Sequence, residues 1–511
     1  MHNEEPPADT GRHKAVLAVL CSGLLLVTMD NTTLNVALPE IAEELKPSST
    51  EMLWIVDLYS LTVAGLLVTG GTLGDRFGRR RFFLIGMALF GVASITAAFA
   101  GTLPVLLATR ILRGIGGAMI MPATLSIIRN VFTDARERGV AIGIWAATAA
   151  AGTALGPVLT GLALKWFPWG SVFLLSLPIV LAAMALTIIV VPESRAPSPR
   201  SFDVTSAALS MAGLGSVVYG IKQVANHGAD DLLSLAVLTV GLLLIWIFVR
   251  RQTRMPEPLL DLSLFTSRRF TAATLSVLLS FFGFFGLMFF ITQYFQIVRH
   301  LSPLETGLWM LPLAVASFVA SPMTGTIIRT LGTRWTLTGA FILIALSLGL
   351  FAMLGGGADL VIITLGFLAL GFGSSVVATT GSQAIMSSAP PERSGGAAAI
   401  QETAFETGGG LGVAVLGSVM TAVYRATLSV SHDIPSTALD SAAQSLPAAV
   451  TAAADLPDPA GADLLTAAHT AFFHGLSIAC ITGAALMLIV AAIAAAWLPH
   501  RRAEQAEEPV V

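Results

Sequence analysis

The sequence predicts an all-α integral membrane protein of fourteen membrane-crossing helices, built as two six-helix halves with an inserted helix pair between them. Three observations carry this expectation. Of the 511 residues, 55% are apolar and 12% are charged, whereas a soluble chain is about 25% charged. The apolar residues fall in separate runs, most of them close to the ~20 residues needed to cross a bilayer. The Lys and Arg residues gather in alternate loops, the pattern that fixes orientation in a membrane.

In chain order the runs place helices near 15–38, 52–73, 82–101, 104–128, 139–164, 170–191, 204–221, 232–249, 270–297, 303–328, 336–354, 359–386, 397–424 and 470–497. The first follows a short polar stretch and Lys14. It is too long for a signal-peptide core and no small-residue cleavage site follows it, so it is expected to be retained. Every second helix then ends on basic residues. The second meets Arg76, Arg79, Arg80 and Arg81; the fourth meets Arg129, Arg136 and Arg138; the sixth meets Arg195 and Arg200. The eighth meets Arg250, Arg251 and Arg254, with Arg268 and Arg269 before the ninth. Arg329 and Arg334 follow the tenth, Arg393 follows the twelfth, and Arg501 and Arg502 follow the fourteenth.

With both termini cytoplasmic, only Lys46, Lys165, Lys222, Arg299 and Arg425 of the 28 basic residues lie outside. Arg110 and Arg113 lie within the membrane, and the remaining 21 are cytoplasmic. That asymmetry sets the expected orientation. The predicted organisation is a cytoplasmic tail over 1–14, a first half over 15–191, the inserted pair over 192–269, a second half over 270–498 and a tail over 499–511. A long external segment, 425–469, is rich in Ala, Ser, Asp and Pro. It is expected to form short surface helices and no catalytic domain. Cys21 and Cys480 lie in apolar runs, so no disulfide scaffold is expected. The net charge of −3 and the absence of a basic stripe argue against nucleic acid.

Glycines suggest a duplication. Gly71 and Gly78 recur as Gly325 and Gly332, 254 residues on. Gly152, Gly156 and Gly161 recur as Gly408, Gly412 and Gly417, 256 residues on. The chemistry is not duplicated: Asp75 maps onto Arg329, Arg110 and Arg113 map near apolar residues, and Glu402 and Glu406 have no counterparts in the fifth helix.

The loop Gly71-Thr72-Leu73-Gly74-Asp75-Arg76-Phe77-Gly78-Arg79-Arg80-Arg81 is the most specific motif. Glycines permit tight turning and close helix approach, and Asp75 stands at a helix end where a charge partner can meet it. The spacing of Gly71, Gly74, Asp75, Arg76, Gly78, Arg79 and Arg80 resembles the loop signature of the major facilitator superfamily of transporters. That resemblance implies a conformational gating role for the loop, two parallel six-helix halves, and substrate bound between them at mid-membrane.

Ionisable groups inside a bilayer cost at least about 2.5 kcal/mol and are functional candidates by default. Asp30 lies in Met29-Asp30-Asn31-Thr32-Thr33-Leu34-Asn35, where Asn31 and Asn35 share a helix face. It is expected either to carry protons and bind cations or to tie the first helix to a neighbour. Asp57 lies near the outer end of the second helix, as a substrate-binding acid or as a solvated acid at the cavity mouth. Arg110 and Arg113 lie in Arg110-Ile111-Leu112-Arg113-Gly114 of the fourth helix. This resembles the fourth-helix motif of the family, which implies a role in proton transfer for the Arg110 position. The family commonly has Gln where this chain has Arg113. The alternative is that Arg110 braces the cytoplasmic end of the bundle. Glu402 and Glu406 are four apart on one helical face and repel when both are ionised. They suit proton exchange or cation binding, unless the loop before them extends further and leaves both solvated.

Gly152, Gly156, Pro157 and Gly161 in the fifth helix resemble the antiporter motif of exporters, with Thr160 in place of a second terminal glycine. Small residues allow close helix contact and Pro157 leaves a kink. Phe281, Phe282, Phe284, Phe285, Phe289 and Phe290 surround the ninth helix and are expected to face lipid rather than stack on substrate. His474 is expected to be a core histidine.

Residues 15–424 together resemble the fourteen-helix drug:proton antiporter family, most closely the QacA-type multidrug exporters. The resemblance implies export of lipophilic cations, such as quaternary ammonium compounds and dyes, across the bacterial plasma membrane in exchange for protons. The expected partners are the drug substrate, protons and membrane lipids, and the chain is expected to act as a monomer without a cofactor. Rival readings are an exporter of one antibiotic, lipid or metabolite, a nutrient symporter, and a membrane enzyme. The enzyme would need a nucleophile–base set or a metal cluster, and the sequence offers neither. It also lacks the glycine-rich loop that would bind ATP.

Overall fold

The architecture was analysed in a computed structural model. The structure describes residues 10–47, 49–195, 203–227, 231–255, 258, 262–354, 359–390, 394–429, 434–443 and 445–498. All regular elements among them are helical. The order is α1 (Thr10–Leu45), α2 (Ser49–Phe77), α3 (Arg79–Ala98), α4 (Leu103–Val131), α5 (Ala135–Leu164), α6 (Ser171–Leu174) and α7 (Ser176–Val190). Next come α8 (Val204–His227), α9 (Leu232–Gln252), α10 (Arg268–Gln293), α11 (Pro303–Trp309), α12 (Leu311–Phe351), α13 (Asp359–Ser388) and α14 (Ser394–Thr427). Last are α15 (Ser436–Ala442), α16 (Leu446–Ala454) and α17 (Ala460–Trp497).

Among the described residues, twelve helices are long and apolar enough to cross a membrane, and the chain is a multi-pass membrane protein. The sequence predicts fourteen crossings. The difference lies at two places. Helix α2 is not among the twelve, which are counted over the described residues alone. The segment Leu304–Phe351 counts as one, although Gly332 interrupts it with φ 78 and ψ 162.

Several boundaries move outward from their predicted positions. Helix α1 begins at Thr10, inside the predicted tail, and Arg12 Nε donates to the Val190 carbonyl at 3.2 Å. Helix α17 begins at Ala460, so it takes in the end of the predicted external segment. The rest of that segment does form the short helices α15 and α16. Tyr424 donates to the Ala442 carbonyl at 3.0 Å, and Ala442, Leu446 and Ala449 join the buried core of α10–α17. Hydropathy locates the part of a helix that crosses the apolar layer, whereas helical hydrogen bonding continues past it.

The repeated glycines occupy repeated environments. Gly78 and Gly332 both hold positive φ, 107° and 78°, each at the break between two helical segments. Helix α1 packs on α5 as α10 packs on α14. A Cβ on Gly152 or Gly156 would collide with Thr28 or Thr32 of α1, and one on Gly408 or Gly412 with the Leu278 or Phe282 carbonyl of α10. Contacts between the N-terminal and C-terminal helices run through α5 against α12 and α13, and through α2 and α4 against α14. Helix α8 touches both α2 and α14. Its partner α9 exposes Leu232, Leu233, Val240, Leu242, Leu243 and Trp246, an apolar face suited to lipid.

Candidate functional site: a buried arginine–carboxylate cluster

Helices α1, α2 and α4 converge because small residues line their contacts. A Cβ on Gly114 would come within 2.6 Å of Thr62 Cβ, and one on Gly117 within 3.0 Å of the Tyr59 hydroxyl. On the α5 side, Gly152 and Gly156 admit Thr28 and Thr32, the residues that bracket Asp30. Four glycines therefore bring α1, α2, α4 and α5 close enough to enclose a carboxylate.

That carboxylate is Asp30, only 2% exposed. Arg110 Nη1 donates to its Oδ2 at 2.8 Å, and Arg113 Nη2 stands 2.5 Å from its Oδ1. Arg110 Nε also donates to the Ile55 carbonyl at 3.0 Å, which ties α4 to α2. The guanidinium of Arg110 lies 4.9 Å from the Tyr59 ring centre, and that of Arg113 lies 4.6 Å from Phe90 and 5.0 Å from Phe173. Aromatic faces stabilise these cations where water is excluded. Two arginines around one aspartate leave the group with a surplus positive charge.

The opposing acids come from α14. Glu402 is wholly buried, and neither of its carboxylate oxygens has a hydrogen-bond partner among the described residues. Glu406, one turn on, is half-buried and lies within electrostatic reach of both Glu402 and Tyr59. Tyr59 thus stands within reach of Asp30, Arg110 and Arg113 on the N-terminal side and of Glu406 on α14, and Glu402 lies next to Glu406. The solvated alternative does not hold for Glu402. Nor does Arg110 brace the end of the bundle that carries the arginine-rich loop. It sits near Ile55, toward the start of α2, whereas Asp75 sits at the finish of that helix. The side chains of Asp57, Asn31 and Asn35 lie outside the described residues.

The arginine-rich loop forms a second constellation. Asp75 accepts from Arg79 Nε at 2.8 Å, and Gly74 lies against the Phe82 ring. Arg76 stacks over Phe77, while Gly71 is buried within α2. The positive φ of Gly78 turns the chain where a Cβ would come within 2.6 Å of Glu193. Glu193, just beyond α7, accepts from the Arg80 backbone N–H at 3.2 Å and stands 3.7 Å from Arg81. Arg80 also donates to the Ile188 carbonyl at 2.7 Å. At the same end, Arg129 of α4 donates to the Ala389 carbonyl at the finish of α13, which links the two sets of helices. In α5, Pro157 is buried within the helix and Gly161 is half-buried.

Two sequence expectations are corrected. Phe282, Phe284 and Phe290 are buried and Phe281 and Phe285 half-buried; only Phe289 of the six is exposed. The cluster therefore faces mainly inward, with Phe281 4.1 Å from Phe405 of α14. His474 is exposed on α17 and is no core histidine. Sequence reasoning also missed Tyr59, Glu193 and Trp145 as site neighbours. Tyr59 lies one turn from Ile55, but only the fold places its ring under Arg110.

Residues 20–413 match the Major Facilitator Superfamily. The chain belongs to this superfamily. Its members are transporters. The chain is 41% identical to the multidrug efflux pump LfrA of Mycolicibacterium smegmatis, over 93% of this chain and 94% of the relative. It is 36% identical to the methyl viologen resistance protein SmvA of Salmonella typhimurium, over 94% and 97%. The tetracenomycin C resistance and export protein of Streptomyces glaucescens is 33% identical over 97% and 93%. Among solved structures, the human organic anion transporter MFSD10 superposes with a TM-score of 0.61 at 16% identity, over 96% of this chain and 100% of that one. The proton:xylose symporter XylE superposes at 0.59 with 14% identity, over 96% and 97%. These two likenesses establish the shared fold.

Proposed function

We propose that the protein exports lipophilic, cationic drugs in exchange for protons by alternating access. The observation that carries this reading is Glu402, wholly buried with neither oxygen partnered among the described residues, next to Glu406, which Tyr59 links to the Asp30–Arg110–Arg113 group. If all five groups are charged, two arginines and three carboxylates sum to a net −1. One proton or one monovalent cation restores neutrality, and a low-dielectric site disfavours holding both. Competition for that single charge is the basis of exchange. The named efflux and resistance functions of the relatives support the same reading.

In this reading α2 crosses the membrane, and α12 crosses it twice with its turn at Gly332, which gives fourteen crossings. Both termini then lie in the cytoplasm of a bacterial cell, a placement that the distribution of basic loops supports. Each charge moved down the membrane potential gains about 2.3 kcal/mol per 100 mV. Each pH unit adds about 1.4 kcal/mol. No ATP site is needed. Quaternary ammonium compounds and cationic dyes are the proposed substrates. A second reading, export of one antibiotic, draws on the relative named for tetracenomycin C.

The test is ethidium accumulation in cells that express the protein, with and without an uncoupler. Low accumulation that rises to the control level on uncoupling is expected. Accumulation equal to that of cells lacking the protein, together with resistance to a single antibiotic, would favour the second reading.

A further inference from the structure

We infer that Trp145, Phe281 and Phe405 form an aromatic clamp beside Glu402 that selects planar aromatic cations over aliphatic ones; this rests on the cation-export reading above. Phe405 follows Glu402 by three residues on α14, so the two side chains are neighbours on the helix surface. The Phe405 ring lies 4.1 Å from Phe281 of α10 and 6.2 Å from Trp145 of α5. Its plane is inclined by only 23° to the Trp145 indole. The indole N–H donates to Thr124 Oγ1 at 3.0 Å, which fixes the plane of that ring. Phe281 continues the wall to Phe285 at 5.7 Å, and both keep part of their surface uncovered.

The arrangement differs from ordinary core packing in two respects. Trp145 belongs to the N-terminal helices, while Phe281 and Phe405 belong to the C-terminal ones, so the stack crosses the seam that alternating access must open. Beside it stands the buried Glu402 carboxylate, with no hydrogen-bond partner among the described residues. A planar cation that enters the opened stack gains an aromatic face on each side and a counter-charge at Glu402. An aliphatic ammonium gains the counter-charge and a cation–π contact but cannot stack.

The experiment compares two monocations, ethidium and dodecyltrimethylammonium, in energised inverted vesicles that contain the full-length protein. Trp145→Leu and Phe405→Leu are expected to reduce the initial rate of ethidium transport ~10-fold more than that of dodecyltrimethylammonium, about one aromatic interaction's worth. Trp145→Phe, which keeps a π-face, is expected to recover most of the ratio. Phe281→Leu, at a half-buried position, provides the same comparison if a buried substitution fails to reach the membrane. Equal reduction for both cations, or none for either, overturns the clamp while leaving cation export intact. Wild-type vesicles that move neither cation overturn the export reading and the clamp with it.

Discussion

Asp30 and Arg113 form a buried ion pair, with Asp30 Oδ1 2.5 Å from Arg113 Nη2 and both residues about 2% exposed. The pair adds a second guanidinium to a carboxylate that Arg110 already binds. Asp30→Asn would leave two buried cations without their counter-charge, a loss of about 3 kcal/mol or more. Low membrane abundance and no uphill export are expected. Adding Arg113→Gln to Asp30→Asn removes the surplus charge and is expected to recover abundance but not export. Gradient-driven export by the double variant with unchanged pH dependence would make Asp30 structural.

Glu402 and Glu406 differ in surroundings, the first wholly buried and the second half-buried. A dication should need both carboxylates, whereas a monocation can be balanced by one. Glu402→Gln and Glu406→Gln are each expected to lower efflux of a dication ~10-fold more than efflux of a matched monocation, with Glu406→Gln the milder case. Efflux assays with both substrate classes decide between this and a proton-only role, which would reduce the two equally.

Gly156 stands against Thr32 and the Met29 carbonyl, directly beside Asp30. Gly156→Ala should force α1 and α5 apart at a cost of about 1–3 kcal/mol. The closest contact is the Thr32 hydroxyl, so Thr32→Ala in the same chain is expected to restore part of the lost transport. If Gly156→Ala transports normally, close α1–α5 contact is not required.

Asp75 pairs with Arg79 in the loop between α2 and α3. Asp75→Asn is expected to leave insertion intact and slow transport at least ~10-fold, because the loop loses a charge contact that holds one conformational state. Transport rates normalised to membrane abundance test this, and a normal rate removes Asp75 from the gating mechanism.

Outside the membrane-spanning segments, the Arg251 guanidinium beside Asp203 pulls its carboxyl down to about 2, with help from Ser206. A depressed carboxyl stabilises the fold above its ordinary value near ~3.9 and loses that contribution as pH falls toward the folded value. Asp203→Asn should loosen the α8–α9 pair by about 1 kcal/mol at neutral pH. Thermal unfolding in detergent should show the gap between wild type and variant closing as the pH is lowered from ~4 toward 2. A gap that is constant over that range would mean that the ionised carboxylate is not what holds α8 to α9.

Much of the architecture is legible in the sequence because a bilayer imposes simple requirements. Long apolar runs mark helices. Glycines 254 residues apart mark where two of them break, and positive φ at both Gly78 and Gly332 shows why glycine stands there. Charged residues within apolar runs mark the candidate site, since burying them is costly.

Other features were decided by tertiary structure. Which charges meet depends on how α1, α2 and α4 approach: Asp30 and Arg110 are 80 residues apart, and no spacing rule links them. Glu193 reaches the arginine-rich loop only because α7 returns beside α3. The phenylalanines of α10 carry no inward or outward signal, because lipid and protein interior are both apolar and a wholly apolar helix has no polar face to orient it. The sequence therefore determined which runs are apolar enough to form membrane helices and which ionisable groups fall within them. Only packing decided which faces those helices turn to one another, and hence that Phe405 meets both Phe281 and Trp145 close to Glu402, whose carboxylate has no hydrogen-bond partner among the described residues.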